Sequence, residues 1–161
     1  MQPVIRAFDD RDQDAVVALS LRAWAPVFAS LEMVLSPSGV YAQLHPDWRV
    51  SQRQAVIGVC SSDDNQVWVA EAHTLVIGFA AVQLHHEALI GEISLLAVDP
   101  DHQRTGVGSL LTSFALDQIK NSGMAVAMVE TGGDPGHTPA RRTYEQAGFT
   151  ELPISRYFRK L

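Results

Sequence analysis

The sequence predicts a single layered α/β domain, and three observations carry that expectation. The first is length: 161 residues suit one domain. Scaling gives it a folded surface of roughly 7,900 Å², with about 69% of the extended chain's surface buried. The second is composition: 47% hydrophobic and 19% charged residues supply a core and exclude a disordered chain. The third is order. Segments of period two and period 3.6 interleave as β-α-(α)-βββ-α-β-α-β(β), the pattern of helices layered on a sheet with a central three-strand meander.

Residues 4–8 (VIRAF) open the chain as a short strand. Asp9, Asp10, Asp12 and Asp14 then precede Ala15, Val16, Leu19, Ala23 and Val27 at helical spacing, and acids suit the positive end of a helix. Trp24 and Phe28 share a face of that helix, and Pro26 is expected to bend or end it. Residues 36–49 (SPSGVYAQLHPDWR) are turn-rich and aromatic, and residues 50–60 read as a further helix. SSDDN (61–65) is a loop. VWVAEA (67–72) and TLVIGFAAVQLHH (74–86), separated by His73, predict a hairpin. GEISLLAV (91–98) follows and stops at Asp99-Pro100, because proline has no N–H to give a sheet. Val107, Leu110, Leu111, Phe114 and Ile119 mark one face of a helix over 106–122, with Gly123 past its end. AVAMVET (125–131) is a strand, GGDPGH (132–137) a loop, Thr138-Pro139 a helix start and Gly148 a helix end. The tail FTELPISRYFRKL predicts two short strands split near Pro153.

Charge and cysteine usage narrow the function classes. Twelve basic residues against eighteen acidic ones give a net charge of −6, with Lys120 and Lys160 the two lysines. A basic face for nucleic acid is not expected, and a cationic or amine-bearing partner is. The single cysteine, Cys60, excludes an internal disulfide framework and a Cys-rich zinc module. The opening MQPVIRAFDDRDQD shows no basic region followed by an apolar one, so no secretory signal is expected. The longest clean apolar stretch, residues 75–82, is too short for a bilayer. A cytoplasmic setting without membrane contact follows as the expectation.

The chemistry concentrates in residues 95–109, LLAVDPDHQRTGVGS. A buried strand enters a polar turn, then a glycine pair, then an amphipathic helix. Such a junction turns free backbone N–H groups outward at the positive end of a helix, which is a site for a phosphate or pyrophosphate. Gly106 and Gly108 lack a Cβ and let that anion approach. The segment has neither the lysine nor the spacing of a P-loop. Position 111 is Leu, which breaks the dinucleotide fingerprint.

Gln103-Arg104-Thr105-Gly106-Val107-Gly108 resembles the [QR]-x-x-G-x-[GA] signature of the GNAT superfamily of acyl-CoA-dependent N-acyltransferases. LLAVDP before it is similar to that family's fourth strand, and PARRTYEQAGF (139–149) to its last conserved helix. The resemblance covers roughly residues 67–150; the first third matches only in general plan. It implies a mixed, mostly antiparallel central sheet of six to seven strands flanked by about four helices. It implies one domain over 1–161, with acceptor-side elements in 1–66 and an acetyl-CoA-binding core in 67–161.

By the same resemblance, the co-substrate is acetyl-CoA. Its pyrophosphate would sit on the loop Gln103, Arg104, Thr105, Gly106, Val107, Gly108 and Ser109. Its pantetheine arm would pair with Leu96, Ala97 and Val98, the Val98 amide steadying the oxyanion. Tyr144 would protonate the departing thiolate. The family often has Asn where this chain has His137, which would still contact the cofactor. Glu92, read by period two as sharing a strand face with Ser94, Leu96 and Val98, resembles the general base of several members. Glu130 competes for that role. The implied reaction is acetyl transfer to a primary amine by direct attack in a ternary complex. A non-catalytic acyl-CoA-binding or regulatory module is the alternative. The acceptor is a small-molecule or peptide amine, and the reading leaves room for a homodimer.

Other candidates carry blander expectations. His85 and His86 are adjacent and point to opposite strand faces, so no metal site is expected of them. Cys60 has no activating neighbour in sequence and reads as structural. Arg141 and Arg142 are either a solvated face or contacts to a CoA phosphate. Trp24, Phe28, Tyr41 and Trp48 are either an aromatic wall around the acceptor or core packing.

Overall fold

The structure, a computed structural model, describes residues 3–161. The alternating segments form one five-stranded sheet in the order β1-β2-β3-β4-β5: β1 (Val4–Ala7), β2 (Asn65–Ala72), β3 (Leu75–His85), β4 (Ile90–Val98) and β5 (Val126–Val129). The first three pairings are antiparallel and β4–β5 is parallel. Five helices accompany it: α1 (Gln13–Leu35), α2 (Val40–Leu44), α3 (Trp48–Ser61), α4 (Val107–Asn121) and α5 (Thr138–Gln146). The sheet therefore has five strands rather than six or seven. The two strands expected in the tail do not form, and residues 150–161 pair with nothing regular. Pro153 supplies no donor there. Leu152 and Tyr157 stand 78% and 89% exposed. That tail helps raise the accessible surface to 10,048 Å², above the scaling value.

Both sheet faces are covered. On one, Val16, Val17 and Leu19 of α1 and Val56 of α3 pack on Val69, Phe79 and Ala97. On the other, Val107 and Leu111 of α4 meet Ala70, Ile77, Ala80 and Val98, and Ala115 and Ile119 meet Val82 and Ile93. A fully buried aliphatic side chain contributes about 1.5–3 kcal/mol, so these layers dominate the energetics. Helix and sheet approach closely at Gly91, where an added Cβ would fall 2.5 Å from Ile119 Cγ2.

Three local expectations change. Pro26 lies inside α1, which runs on to Leu35. Phe28 stacks on Trp48 of α3 at 4.5 Å, and Ser30 bonds the 134–136 loop, so tertiary contacts hold the turns beyond the proline. The β2–β3 turn uses both His73 and Thr74 at positive φ (49° and 65°), as a two-residue hairpin turn of the primed type requires. Third, β4 carries a bulge. Ala81 pairs with Leu95 but Val82 pairs with Ile93, leaving Ser94 extra. Ser94 Oγ donates to Asn65 Oδ1 (2.9 Å) and to the Ala81 carbonyl (3.3 Å).

By length and composition alone, Asp10–Ser38 could cross a membrane, a stretch longer than the expected maximum at 75–82. In the fold, Val16, Val17, Leu19 and Phe28 of this segment are buried. A core helix passes the same measure.

Candidate active site

The site grows from two backbone facts. β4 and β5 pair only from Ile90–Val126 to Ile93–Val129. Beyond that, Ser94 to Val98 continue as β4 with no β5 partner, so apart from the Val98 carbonyl, which accepts from Gln103 Nε2, their edge groups on that side are open to a ligand strand. Past Val98 the chain makes a short turn at Pro100–His102 and enters α4 through Gly106.

Gly106 holds φ +91° and caps α4 without any side-chain bond. Leu110 N makes the first intrahelical bond, to the Gly106 carbonyl. The amides of Val107, Gly108 and Ser109 therefore point out of the helix end unpartnered. Arg104 also sits at positive φ (61°), which shapes the turn. A Cβ on Gly108 would meet only Val98 Cγ2 (3.8 Å) and Thr143 Cγ2 (4.0 Å). Packing thus tolerates a side chain at 108; what glycine preserves is open space in front of the amides.

The remaining loop side chains brace rather than reach outward. Gln103 Nε2 donates to the Val98 carbonyl (3.1 Å), and Thr105 Oγ1 to the His102 carbonyl. Arg22 of α1 pairs with Asp99 and Asp101, both at 2.7 Å, and ties the turn to the opposite layer. A groove of about 280 Å³ runs beside the loop between α4 and α5, lined by Ser109, Ser113, Thr143 and Ala147 among others.

Tyr144 lies on α5, buried at 9% exposure, with its ring edge-on to Phe149 at 5.8 Å. α5 ends in paired bonds, Phe149 N to the Tyr144 carbonyl and Gly148 N to the Glu145 carbonyl. Gly148 at φ +89° permits that ending, so this helix cap fixes the tyrosine. Among the described residues its hydroxyl has no hydrogen-bond partner. Burial pushes the phenol up to about 12.

The bulge at Ser94 corrects the expected strand face. Leu96 and Val98 belong to the α4 layer, whereas Leu95 and Ala97 pack on the α1 side. Glu92 lies with His85, accepting from or sharing a proton with its Nε2 at 3.0 Å. It shares its face with Ser94 but not with Leu96 and Val98. His85, set aside in the sequence, is thus the residue touching Glu92. Glu130, just past β5, is exposed.

His137 contacts Asp134 through Nδ1. Arg141 donates to the carbonyls of Gly132 and Asp134 and to Thr138 Oγ1 (2.9 Å), so it braces this loop instead of facing a phosphate. Arg142 is exposed. Phe28, His45 and Trp48 form one aromatic cluster, with Tyr41 tilted on His45. Cys60 packs partly buried against the core, and burial pushes its thiol up to about 11, which suits structure and not nucleophilic attack.

The acetyltransferase (GNAT) domain family matches residues 63–151, more than half the chain. The chain belongs to the GNAT acetyltransferase family. It is 30% identical over 68% of its length to a mycothiol acetyltransferase of Thermomonospora curvata, and 27% identical over 97% of its length to one of Thermobispora bispora. It spans 37% and 49% of those relatives' own lengths. The solved structure of AAC(6')-Iy in complex with the bisubstrate analogue CoA-S-monomethyl-acetylneamine superposes with a TM-score of 0.69 at 18% identity. That match covers 100% of this chain and 99% of the other, and at such identity it speaks for the fold.

Proposed function

We propose that this GNAT domain transfers an acetyl group from acetyl-CoA to a primary amine. The observation that carries the reading is the unpaired edge of β4 from Ser94 to Val98, lying beside the free amides of α4. One feature accepts an extended amide-bearing arm and the other a diphosphate, and they sit at the two ends of one turn. Acetyl-CoA has both parts in sequence and supplies the activated acetyl group.

In this reading Val107, Gly108 and Ser109 hold the pyrophosphate by backbone N–H groups. Leu96, Ala97 and Val98 pair with the pantetheine arm, and the Val98 amide faces the thioester oxygen. Tyr144 returns a proton to the thiolate. Glu92, a carboxyl group on the α1 side, binds the acceptor's amine end and orients it. The relatives' names point to mycothiol chemistry and the bisubstrate neighbour to an aminosugar, so both kinds of amine belong in the acceptor screen.

The test is calorimetry with CoA, then turnover of acetyl-CoA with the free-amine precursor of mycothiol, neamine, spermidine, an amino acid and a peptide with a free N-terminus. Gly108→Glu should fold and lose CoA affinity at least 100-fold, because the carboxylate occupies the space in front of the amides. Unchanged CoA affinity in the folded variant would sink the loop assignment. CoA binding with no turnover of any amine would favour the binding-module alternative.

A further inference from the structure

The loop that leaves β5 holds an imidazole in a built setting. His137 Nδ1 meets Asp134 Oδ1. The other carboxylate oxygen, Oδ2, accepts from Ser30 Oγ of α1 at 2.7 Å and from the Gly136 amide at 3.1 Å. The Gly136 amide also reaches Ser30 Oγ at 3.0 Å. Two glycines are given up to bring these groups together. A Cβ on Gly132 would fall 2.5 Å from His137 Nδ1, and one on Gly136 would fall 2.7 Å from Ser30 Cβ. Arg141 fastens the loop from the α5 side through the carbonyls of Gly132 and Asp134. Such restraint exceeds what a solvated loop histidine needs.

We propose that His137 is the general base of the acetyl transfer, with Asp134 as its positioning residue; this rests on the acetyltransferase reading above. The Asp134 carboxylate accepts the Nδ1 proton, which fixes the tautomer and leaves Nε2 with its lone pair. Nε2 has no protein partner among the described residues. The loop begins where β4 and β5 part, after Ile93 and Val129, and His137 is the N-cap of α5, which carries Tyr144. Base and acid thus stand on one continuous segment that follows the point where the two strands part. Glu92 is less free: it lies in the still-paired part of β4, opposite Met128, and is already bonded to His85.

The step balances without another reactant. The acceptor, once its ammonium has lost one proton to solvent, attacks the thioester carbonyl carbon as the neutral amine, forming the C–N bond. Nε2 takes the amine proton. The C–S bond breaks, and the thiolate takes a proton from Tyr144 or water; the imidazolium returns its own to solvent, and solvent reprotonates Tyr144 for the next turnover. Burial pushes the Asp134 carboxyl up, but the bonds from Ser30 and His137 more than offset this and hold it below its ordinary value. It is therefore an anion whenever the imidazole needs one. The charged groups bonded to this loop are Asp134 itself and Arg141 of α5; α1 contributes the neutral Ser30.

The test compares His137→Gln, Asp134→Asn and Glu92→Gln with wild type, using the amine from the panel above that turns over. Loss of a general base costs about 10²–10⁴-fold. His137→Gln should lower kcat at least 100-fold with the acetyl-CoA KM unchanged, and should flatten the acidic limb of the pH–rate profile. Asp134→Asn should give a smaller loss and move that limb. Glu92→Gln should raise the amine KM and keep the limb. Independently of turnover, nitrogen-15 NMR of the free wild-type protein should find the His137 ring in the Nδ1–H tautomer, a preference weakened in Asp134→Asn. The proposal falls if Glu92→Gln removes the limb and His137→Gln keeps it. It also falls if His137→Gln raises only the acetyl-CoA KM, which would make the ring a cofactor contact, or if the ring is found as Nε2–H. A wild-type protein that shows the fixed tautomer and binds CoA but acetylates nothing overturns the acetyltransferase reading, and the base role with it.

Discussion

At Tyr144 burial sets the chemistry. A phenol pushed up to about 12 stays protonated throughout the range in which the domain works, so it can give a proton and cannot act as a base. Its hydroxyl carries no structural hydrogen bond, and its ring is held by Phe149 and by the ending of α5. In the proposed mechanism, structure and chemistry therefore reside in different parts of one side chain. Tyr144→Phe should leave the melting temperature and the acetyl-CoA affinity nearly unchanged while kcat falls about 10- to 100-fold, a loss of about 1.4–2.7 kcal/mol at the transition state. Steady-state kinetics and a thermal melt on one preparation separate the two parts. Full activity in a well-folded Phe variant would take the hydroxyl out of the mechanism. The sequence marked Tyr144 because its motif is local. It missed His85, whose meeting with Glu92 is a cross-strand contact, and Ser30 and Asp134, which meet from residues 104 apart.

Elements bring those distant residues together, and their packing tolerances are narrow. Gly91 of β4 lets α4 lie directly on the sheet at Ile119. Gly91→Ala should force the helix outward and lower stability by about 1–3 kcal/mol, the usual cost of overpacking, read as a reduced denaturation midpoint. An unchanged midpoint would mean that Ile119 can rotate away. Because α4 also presents the amides proposed to hold the pyrophosphate, CoA affinity should weaken in the same variant. The strand and helix order was legible from periodicity, as were the glycines past α4 and α5, because these signals are local. The Ser94 bulge was not: strict alternation assumes one residue per rung, and the extra one is fixed by Asn65 and Ala81 on neighbouring strands. The persistence of α1 past Pro26 was hidden for the same reason. The roughly 3 kcal/mol penalty of an interior proline is visible in sequence, while the contacts of Phe28 and Ser30 that offset it are not. The tail failed in the opposite sense, since alternating apolar residues at 152 and 154 read as strand, yet the segment pairs with neither edge of the sheet.

Over the whole molecule, α1 is fastened to the sheet layer near both ends by carboxylates. At its start Arg6 of β1 bonds Asp12 at 2.7 and 2.9 Å and Glu71 of β2 at 2.6 Å, while Asp12 also accepts from the Asp9 amide. Toward its end Ser30 bonds Asp134. Asp12 is 4% exposed, and the bond from Arg6 is the largest influence holding its carboxyl below the ordinary value. Asp134 is held low as well. Carboxylates depressed in the folded state bind fewer protons there than in the unfolded chain. Their contribution is fully present above the unfolded value, about 3.9, and is lost as pH falls through the lower folded values. The melting temperature should therefore be insensitive to these groups between pH 6 and 8 and should drop steeply below about pH 4. Arg6→Met isolates the first of them. At neutral pH it leaves Asp12 buried and charged without its partner, which should cost on the order of 3 kcal/mol. In acid, Asp12 is protonated in both proteins, so the difference between variant and wild type should shrink. Scanning calorimetry of the pair from pH 3 to pH 7 reads this directly. A deficit of the same size at both ends of the range would mean that Arg6 acts by packing along β1 and not through the charge of Asp12.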